Sequence, residues 1–168
     1  YILVTHEHFD HCDTAAIRQL EKPTTVIVTN ANCAKIIDKS KAMYNGDHMK
    51  LADDITIDAV PAYNTTLGKE KYHPKGRDNG FILTLDGFRV YISGDTEDIP
   101  EMRNIKNIDV AFLSTNQPFT MTPEQTARAA KTIKPKVLFP YHYSDTDIQK
   151  VAALLKGTGI KVLIRNYQ

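Results

Sequence analysis

The sequence predicts an α/β fold, and three observations point to it. Short apolar runs typical of strands recur along the chain, segments of helical length separate several of them, and Asp86-Gly87 marks a two-residue hairpin between two of the runs. The chain has 168 residues, of which 42% are hydrophobic and 24% are charged, which suits a domain with a substantial core. We therefore expect residues 1–168 to form a single domain.

Strands are expected where β-branched and aromatic residues cluster between turn residues. After the opening apolar run at 1–4, the predicted strands are 25–29, 55–60, 81–85, 88–93, 110–113, 137–141 and 162–164. The predicted helices are 14–20, 31–39, 123–133 and 146–156. The start of the third helix is the clearest, because Thr122 and Gln125 form a capping-box pattern around Pro123. Residues 63–79 form a long polar loop, and such loops in compact domains are often functional.

Charge and hydropathy argue against several classes of protein. The formal net charge is +1 with Lys and Arg scattered along the chain, which argues against a nucleic-acid partner and a polybasic membrane patch. No apolar stretch approaches the ~20 residues that a membrane-spanning helix needs, so no membrane association is expected. The two cysteines, Cys12 and Cys33, indicate no disulfide framework, and a cytoplasmic location is expected. The sequence does not predict the oligomeric state.

Residues 6–11, with the sequence HEHFDH, carry the clearest functional signal. Imidazole and carboxylate are the ligands that hold zinc at open catalytic sites. In an extended segment His6 and His8 point to the same side, so their ring nitrogens can converge on one ion. A tight turn within the segment would carry Asp10 and His11 to a second, neighbouring ion. The motif therefore predicts two adjacent metal sites built from one loop, which the preceding apolar strand would make rigid.

The chain resembles the metallo-β-lactamase superfamily in segments that follow one another in the family's order. Residues 5–11 are similar to its signature metal-binding loop. Residues 91–96, YISGDT, resemble the strand and Gly-Asp-Thr element whose Asp bridges two metals, and residues 139–142, FPYH, resemble the strand end that delivers the last His ligand. The group it resembles most is that of stand-alone zinc-dependent hydrolases. This resemblance implies a four-layer αββα sandwich, an α/β fold whose first N-terminal strands are missing from this chain.

The resemblance also implies a binuclear metal centre. Its implied ligands are His6, His8, Asp10, His11, Asp95 and His142. The H-x-H pair would bind the first ion, whereas Asp10, His11 and His142 would bind the second, and Asp95 would bridge the two. Zn²⁺ is the expected cofactor, as one or two ions, with Mn²⁺ and Fe as alternatives because the same ligand types accept them.

One position departs from the family pattern. The third His of the first site normally lies in a P-x-H-T-like turn, and this chain has VPAYNT at 60–65, with Tyr63 or Asn64 in place of His. Both are poorer zinc ligands than His. His73, in the long loop, is expected to be solvated and becomes a reserve ligand only if that loop folds inward. The first site is therefore expected to bind its ion more weakly than the second.

The implied function is that of a metal-dependent hydrolase. A metal-bound hydroxide would attack an ester, lactone, amide or phosphodiester of a small-molecule substrate, with Asp10 as the catalytic residue that orients the nucleophile and moves its proton. Lys75, Arg77 and Asn79 are candidates for substrate contact. Two alternatives stay open. One is a degenerate or regulatory metal-binding module, and the other is a di-iron redox protein, which the His at position 8 disfavours because those relatives have H-x-E-x-D-H.

Overall fold

The computed structural model describes residues 1–167, which form two β-sheets and three α-helices. In chain order the strands are β1 (Ile2–Val4), β2 (Ile27–Thr29), β3 (Lys41–Ala42), β4 (His48–Ala52), β5 (Ile55–Ala62), β6 (Asp78–Leu85), β7 (Phe88–Ile92), β8 (Val110–Ser114), β9 (Val137–Tyr141) and β10 (Lys161–Val162). The helices are α1 (Thr14–Leu20), α2 (Pro123–Ile133) and α3 (Gln149–Leu154), with 3-10 turns at Cys33–Lys35 and Pro100–Asn104. None of the helices in this range combines the length and hydropathy needed to span a bilayer.

The two sheets differ in how their strands run. The small sheet has the order β1-β2-β3, with parallel pairs. The large sheet has the order β10-β9-β8-β7-β6-β5-β4, antiparallel from β4 to β7 and parallel from β7 to β10. The parallel half needs crossover connections, and α2 and α3 lie in two of them. In the antiparallel half, short turns join β4 to β5 and β6 to β7, the latter through the predicted Asp86-Gly87 hairpin, whereas the long loop 63–77 joins β5 to β6.

Buried apolar side chains arrange these elements in four layers. Ile17 of α1 packs against the small sheet. Val28 of the small sheet packs with Phe81 of the large sheet. Ile82 follows Phe81 on β6 and so points to the opposite face, where it joins the cluster that contains the apolar sides of α2 and α3. The large sheet is therefore buried on both faces, and the predicted αββα sandwich is confirmed.

One predicted helix is wrong, and one edge strand was not predicted. Residues 31–39 contain only the 3-10 turn Cys33–Lys35, because the side chain of Asn30 accepts the N–H of Cys33 and Lys39 has a positive φ of 62°, which ends any helical path. The strand β4 was not predicted, because its alternating polar residues lack the apolar signal of a buried strand. It forms an edge of the large sheet, where one face of a strand needs no apolar side chains.

One edge of the sandwich collects the ends of several strands. β5, β7, β8 and β9 run in the same direction, so their C-terminal ends lie at this edge, together with the start of β6. The end of β1 is attached there by the N–H of Asn79, which donates to the carbonyl oxygen of Thr5 at 3.1 Å. Gly94 permits this contact, because a Cβ at that position would lie 2.7 Å from the Asn79 carbonyl oxygen.

Candidate metal centre

The structure brings all six predicted ligand residues to this edge. They lie in the loops that follow β1, β7 and β9, so residues distant in sequence meet where the strands end. Asp10, His11 and His142 form one group in which each side chain offers a ligand atom within 4.8 Å of the others. His142 Nε2 lies 3.2 Å from His11 Nε2 and 3.2 Å from Asp10 Oδ2. This is the group expected at the second ion.

A second group consists of His6, His8 and His73. His6 Nε2 lies 3.2 Å from His8 Nδ1, and the ring of His73 has its centroid 5.0 Å from that of His6 and 4.9 Å from that of His8. His73 is only 1% exposed. The expectation that His73 is a solvated loop residue is therefore wrong, and the chain has a third imidazole at the first site.

Tyr63 and Asn64, the expected substitutes for that imidazole, have their side-chain donors bonded to other groups. The Nδ2 of Asn64 donates to the carbonyl oxygens of Lys69 at 3.2 Å and Phe119 at 2.7 Å, while its Oδ1 is buried with no hydrogen-bond partner among the described residues. The Tyr63 hydroxyl donates to a carboxylate oxygen of Glu101 at 2.8 Å. Because His73 is the residue grouped with His6 and His8, the expectation that Tyr63 or Asn64 replaces the third His is corrected. The predicted weakness of the first site rested on a missing imidazole, so that prediction loses its premise.

Several contacts fold the loop 63–77 inward and so place His73. The side chain of Glu97, fully buried, accepts the backbone N–H groups of Thr65 at 2.8 Å and Thr66 at 2.7 Å. The backbone N–H of Asn64 donates to the carbonyl oxygen of His73 at 2.9 Å. A buried carboxylate that accepts several N–H groups holds a backbone segment firmly. Glu97 and Asn64 are thus positioning residues of the loop.

The imidazole of His73 is oriented by Asp78, a fully buried carboxylate that the sequence analysis did not identify. His73 Nδ1 lies 3.0 Å from Asp78 Oδ2, which assigns the proton to Nδ1 and leaves the Nε2 lone pair free. Arg77 holds Asp78 in turn, with Nε 2.6 Å from Oδ1 and Nη2 2.9 Å from Oδ2. His6 has a similar arrangement, since its Nδ1 lies 3.0 Å from the hydroxyl of Thr5. Such partners fix the ring orientation of a metal ligand.

Asp95 lies between the two groups. Its Oδ2 is 3.4 Å from His73 Nε2 in one group and 3.4 Å from His11 Nε2 in the other. Its Oδ1 is buried and has no hydrogen-bond partner among the described residues. A buried carboxylate oxygen without a partner is uncommon in folded proteins and calls for a cation or water. This geometry suits a carboxylate that bridges two ions.

The protonation of the cluster suits metal binding. Burial lowers the pKa of His6 to about 2, so its ring is neutral and has a free lone pair. Burial alone would raise the pKa of Asp95, but the hydrogen bond and charge of His11 outweigh it and hold that pKa below its usual range. Burial alone would lower the pKa of His11, but the hydrogen bond and charge of Asp95 outweigh it, so the pKa of His11 is raised. Once a metal ion displaces the proton of His11, the five imidazoles and two carboxylates fit two divalent ions such as zinc, manganese or iron.

The backbone around the site is also specialised. His142 has a positive φ of 49°, an uncommon conformation for a residue other than glycine, directly after β9. Glu7 lies between the two histidines of the H-x-H pair. Its carboxylate accepts the side-chain amides of Asn30 and Asn32, each at 3.0 Å, which ties the first loop to the small sheet.

A cavity of about 570 Å³ lies over the cluster. Its lining residues are Glu7, His8, Phe9, Asp10, Tyr72, His73, Asp95, Asn116, Phe119 and His142. The expected substrate contacts do not line it. Lys75 Nζ pairs with Glu101 at 3.0 Å, Arg77 is held by Asp78, and the amide of Asn79 donates to the Met43 carbonyl oxygen at 2.8 Å.

Comparison with known proteins agrees with this architecture. The family model described as the beta-lactamase superfamily domain matches residues 1–143. The chain belongs to the metallo-β-lactamase superfamily. A crystal structure assigned to a metal-dependent hydrolase from Parabacteroides distasonis has 56% sequence identity and a TM-score of 0.97, and the match covers 99% of this chain and 76% of that one.

Two further relatives show how far the similarity extends. A metal-dependent hydrolase of Pelotomaculum thermopropionicum is 32% identical over 152 residues, which are 85% of this chain and 66% of that protein. The metallo-β-lactamase fold protein YhfI from Bacillus subtilis has 16% identity and a TM-score of 0.70, with 97% of this chain and 73% of that one covered, and it supports the fold alone. The chain spans about two thirds of the length of the curated relatives that it matches.

Proposed function

We propose that this protein is a binuclear metal-dependent hydrolase, with zinc as its metal. The observation that carries the proposal is the pair of three-residue ligand groups with the Asp95 carboxylate between them. The relatives named as metal-dependent hydrolases support the same function. The completed first group also makes a degenerate metal-binding module the weaker hypothesis, because each ion would have three protein ligands, as open catalytic sites usually do.

The chain's own residues divide the work between holding the metal and moving a proton. His6, His8 and His73 would hold the first ion, whereas Asp10, His11 and His142 would hold the second. Divalent ions at such a site lower the pKa of water and polarise a substrate oxygen. The side chain of Asp10 is 43% exposed and faces the cavity, so it can accept a proton from the attacking water and return it to the leaving group.

The cavity volume suits a small-molecule substrate, since ligand pockets generally enclose about 300–1,000 Å³. We also propose a cytoplasmic location, which the free thiols of Cys12 and Cys33 support, because reducing compartments keep cysteines unpaired.

Elemental analysis of the purified protein, followed by hydrolysis assays with the bound metal restored, tests this function. We expect about two equivalents of zinc and hydrolysis of an ester, lactone, amide or phosphodiester. Asp10→Asn keeps the size of the side chain but removes the proton acceptor, so kcat should fall by two or more orders of magnitude, in line with general-base catalysis. Asp53→Asn, at an exposed position, is the matched control and should leave kcat unchanged.

Each contrary result has a distinct meaning. Two equivalents of iron together with oxygen-dependent turnover would replace the hydrolase by a redox enzyme. A protein that binds no divalent metal at micromolar concentration would refute the binuclear site itself. If Asp10→Asn were as active as Asp53→Asn, Asp10 would have no part in proton transfer.

A further inference from the structure

The walls of the cavity above the metal centre indicate which substrates it accepts. Five of its lining residues belong to the candidate ligand groups and would face the ions, namely His8, Asp10, His73, Asp95 and His142. The remaining lining residues are Glu7, Phe9, Tyr72, Asn116 and Phe119. They therefore decide what is recognised beyond the reacting atoms.

Three of these remaining residues are aromatic. Phe9 is 89% exposed and Phe119 is 41% exposed, although neither is needed to fill the core. The ring of Phe119 packs edge-to-face on that of Tyr72, with the centroids 5.1 Å apart, so this wall is preformed. An exposed aromatic wall beside a polar cluster is typical of a surface that binds an apolar group.

The lining contains no positively charged side chain among the residues that the structure describes. The nearest guanidinium, that of Arg77, approaches His8 Nε2 at 3.4 Å but is held by the carboxylate of Asp78 and by the carbonyl oxygen of Tyr72 at 2.7 Å. Glu7 adds a carboxylate to the lining and pairs with Arg77, whose Nε lies 3.2 Å from its Oε1. Lys71 lies outside the lining, with its Nζ 5.0 Å from the centroid of the Tyr72 ring. Within the lining a phosphate or carboxylate on the substrate would therefore meet no cation apart from the metal ions, whereas sites that select such groups place Arg or Lys on them.

Asn116 supplies an uncharged polar contact. Its amide lies 3.3 Å from His142 Nδ1, which places it beside the second ligand group and within the cavity. An amide at this position can donate a hydrogen bond to a carbonyl oxygen without requiring a negative charge on the substrate.

On the basis of the proposed function, we propose that the substrate is an uncharged carbonyl compound, an ester, lactone or amide with an aromatic or aliphatic group that packs against Phe119 and Tyr72. Water adds to the carbonyl carbon, the acyl C–O or C–N bond breaks, and the departing alcohol or amine takes the proton. The products are a carboxylic acid and the released alcohol or amine. The proposal excludes a phosphodiester as the preferred substrate.

Three probes with the same leaving group test this substrate class with the metal-loaded protein. They are 4-nitrophenyl butyrate, which is neutral, 4-nitrophenyl hemisuccinate, which is an anionic ester, and bis(4-nitrophenyl) phosphate, which is an anionic phosphodiester. The uncatalysed rate is subtracted from each measurement, and kcat/KM is compared directly between the probes. We expect the neutral ester to exceed the hemisuccinate by about tenfold or more, because the anion finds no partner in the lining.

Variants of the aromatic wall connect this preference to the structure. Phe119→Ala should lower kcat/KM for the butyrate about tenfold, mainly through KM, as expected for lost apolar contact. Phe119→Lys should shift the preference towards the hemisuccinate. Phe88→Ala is the matched control, since Phe88 is similarly exposed but lies at the β6–β7 hairpin, and it should change neither substrate's kcat/KM. Stoichiometric metal content in each variant shows that the centre is intact.

The possible failures are distinguishable. Preference for the phosphodiester or the hemisuccinate would overturn this inference while leaving the hydrolase function in place. The same holds if Phe119→Ala and Phe88→Ala behaved alike on the butyrate. If the fully metal-loaded protein cleaved none of the three probes and neither a lactone nor an amide, the hydrolase function itself would be lost, and the substrate class with it.

Discussion

Replacing Gly94 by Ala tests whether the close contact between the two sheets holds the metal centre together. Gly94 has a φ of +62°, where an L-residue costs about 1–2 kcal/mol. The new Cβ would lie 2.7 Å from the carbonyl oxygen of Asn79 and 3.1 Å from the Cβ of Thr5, both shorter than ordinary contacts. Moving these neighbouring atoms apart to make room for the Cβ costs a further ~1–3 kcal/mol of stability. We therefore expect Gly94→Ala to lower the free energy of unfolding by about 2–5 kcal/mol.

Gly87→Ala is the matched control. Gly87 has a φ of +79°, and nothing lies within 4 Å of a Cβ built there, so this variant carries the conformational cost without the clash. Its expected loss is only about 1–2 kcal/mol. Urea denaturation of the metal-free proteins gives the loss of unfolding free energy for each variant. The difference between the two losses is the cost of the clash at Gly94.

Metal affinity provides an independent readout of the same contact. Thr5 precedes His6 and Gly94 precedes Asp95, so a shift between them displaces ligands of the first site. Zinc titration of Gly94→Ala should show a loss of affinity that Gly87→Ala does not show. Equal destabilisation of the two variants, or unchanged zinc affinity in Gly94→Ala, would refute the reasoning.

Further predictions concern the ligands. His73→Ala should reduce the zinc content from two equivalents to one, by elemental analysis, because it removes one of three imidazoles from the first group. Asp78→Asn should weaken the ion at that group about 10–100-fold in titration, since the partner that orients the imidazole is lost. Asn64→His should not strengthen either ion, because the side chain at this position points to two backbone carbonyls. The pKa of His11 is raised, so zinc must displace its proton, and calorimetric affinity should fall as the pH decreases through that pKa.

Each of these expectations has a contrary outcome. Two equivalents of zinc in the His73 variant would show that the first ion does not need this ligand. Full affinity in the Asp78 variant would mean that packing alone orients His73. A gain in zinc affinity in Asn64→His would show that position 64 faces the first ion, as the sequence predicted. Zinc affinity that is independent of pH would show that His11 carries no proton in the free protein.

Much of the fold followed from local patterns. Helix α1 and helix α2 begin and end where predicted, because capping residues and apolar spacing act over a few positions. The strands of the large sheet between β5 and β9 were also predicted, since buried strands consist of short apolar runs. The edge strand β4 was not predicted, because its alternating polar residues lack the apolar signal of a buried strand. The turn at Cys33–Lys35 was not predicted either, because the side chain of Asn30 binds the N–H of Cys33 in place of a helical partner.

The sequence alone determined that this protein carries histidines and aspartates at the ends of strands in a layered α/β fold, because strand alternation and turn position are local properties. Only the tertiary structure decided which histidine completes the first ligand group. His73 reaches the cluster through Asp78, Arg77 and the anchoring of its loop by Glu97, and none of these contacts leaves a spacing that can be recognised along the chain. A loop's path is set by the buried polar partners it finds, and those partners come together only when the sheets pack.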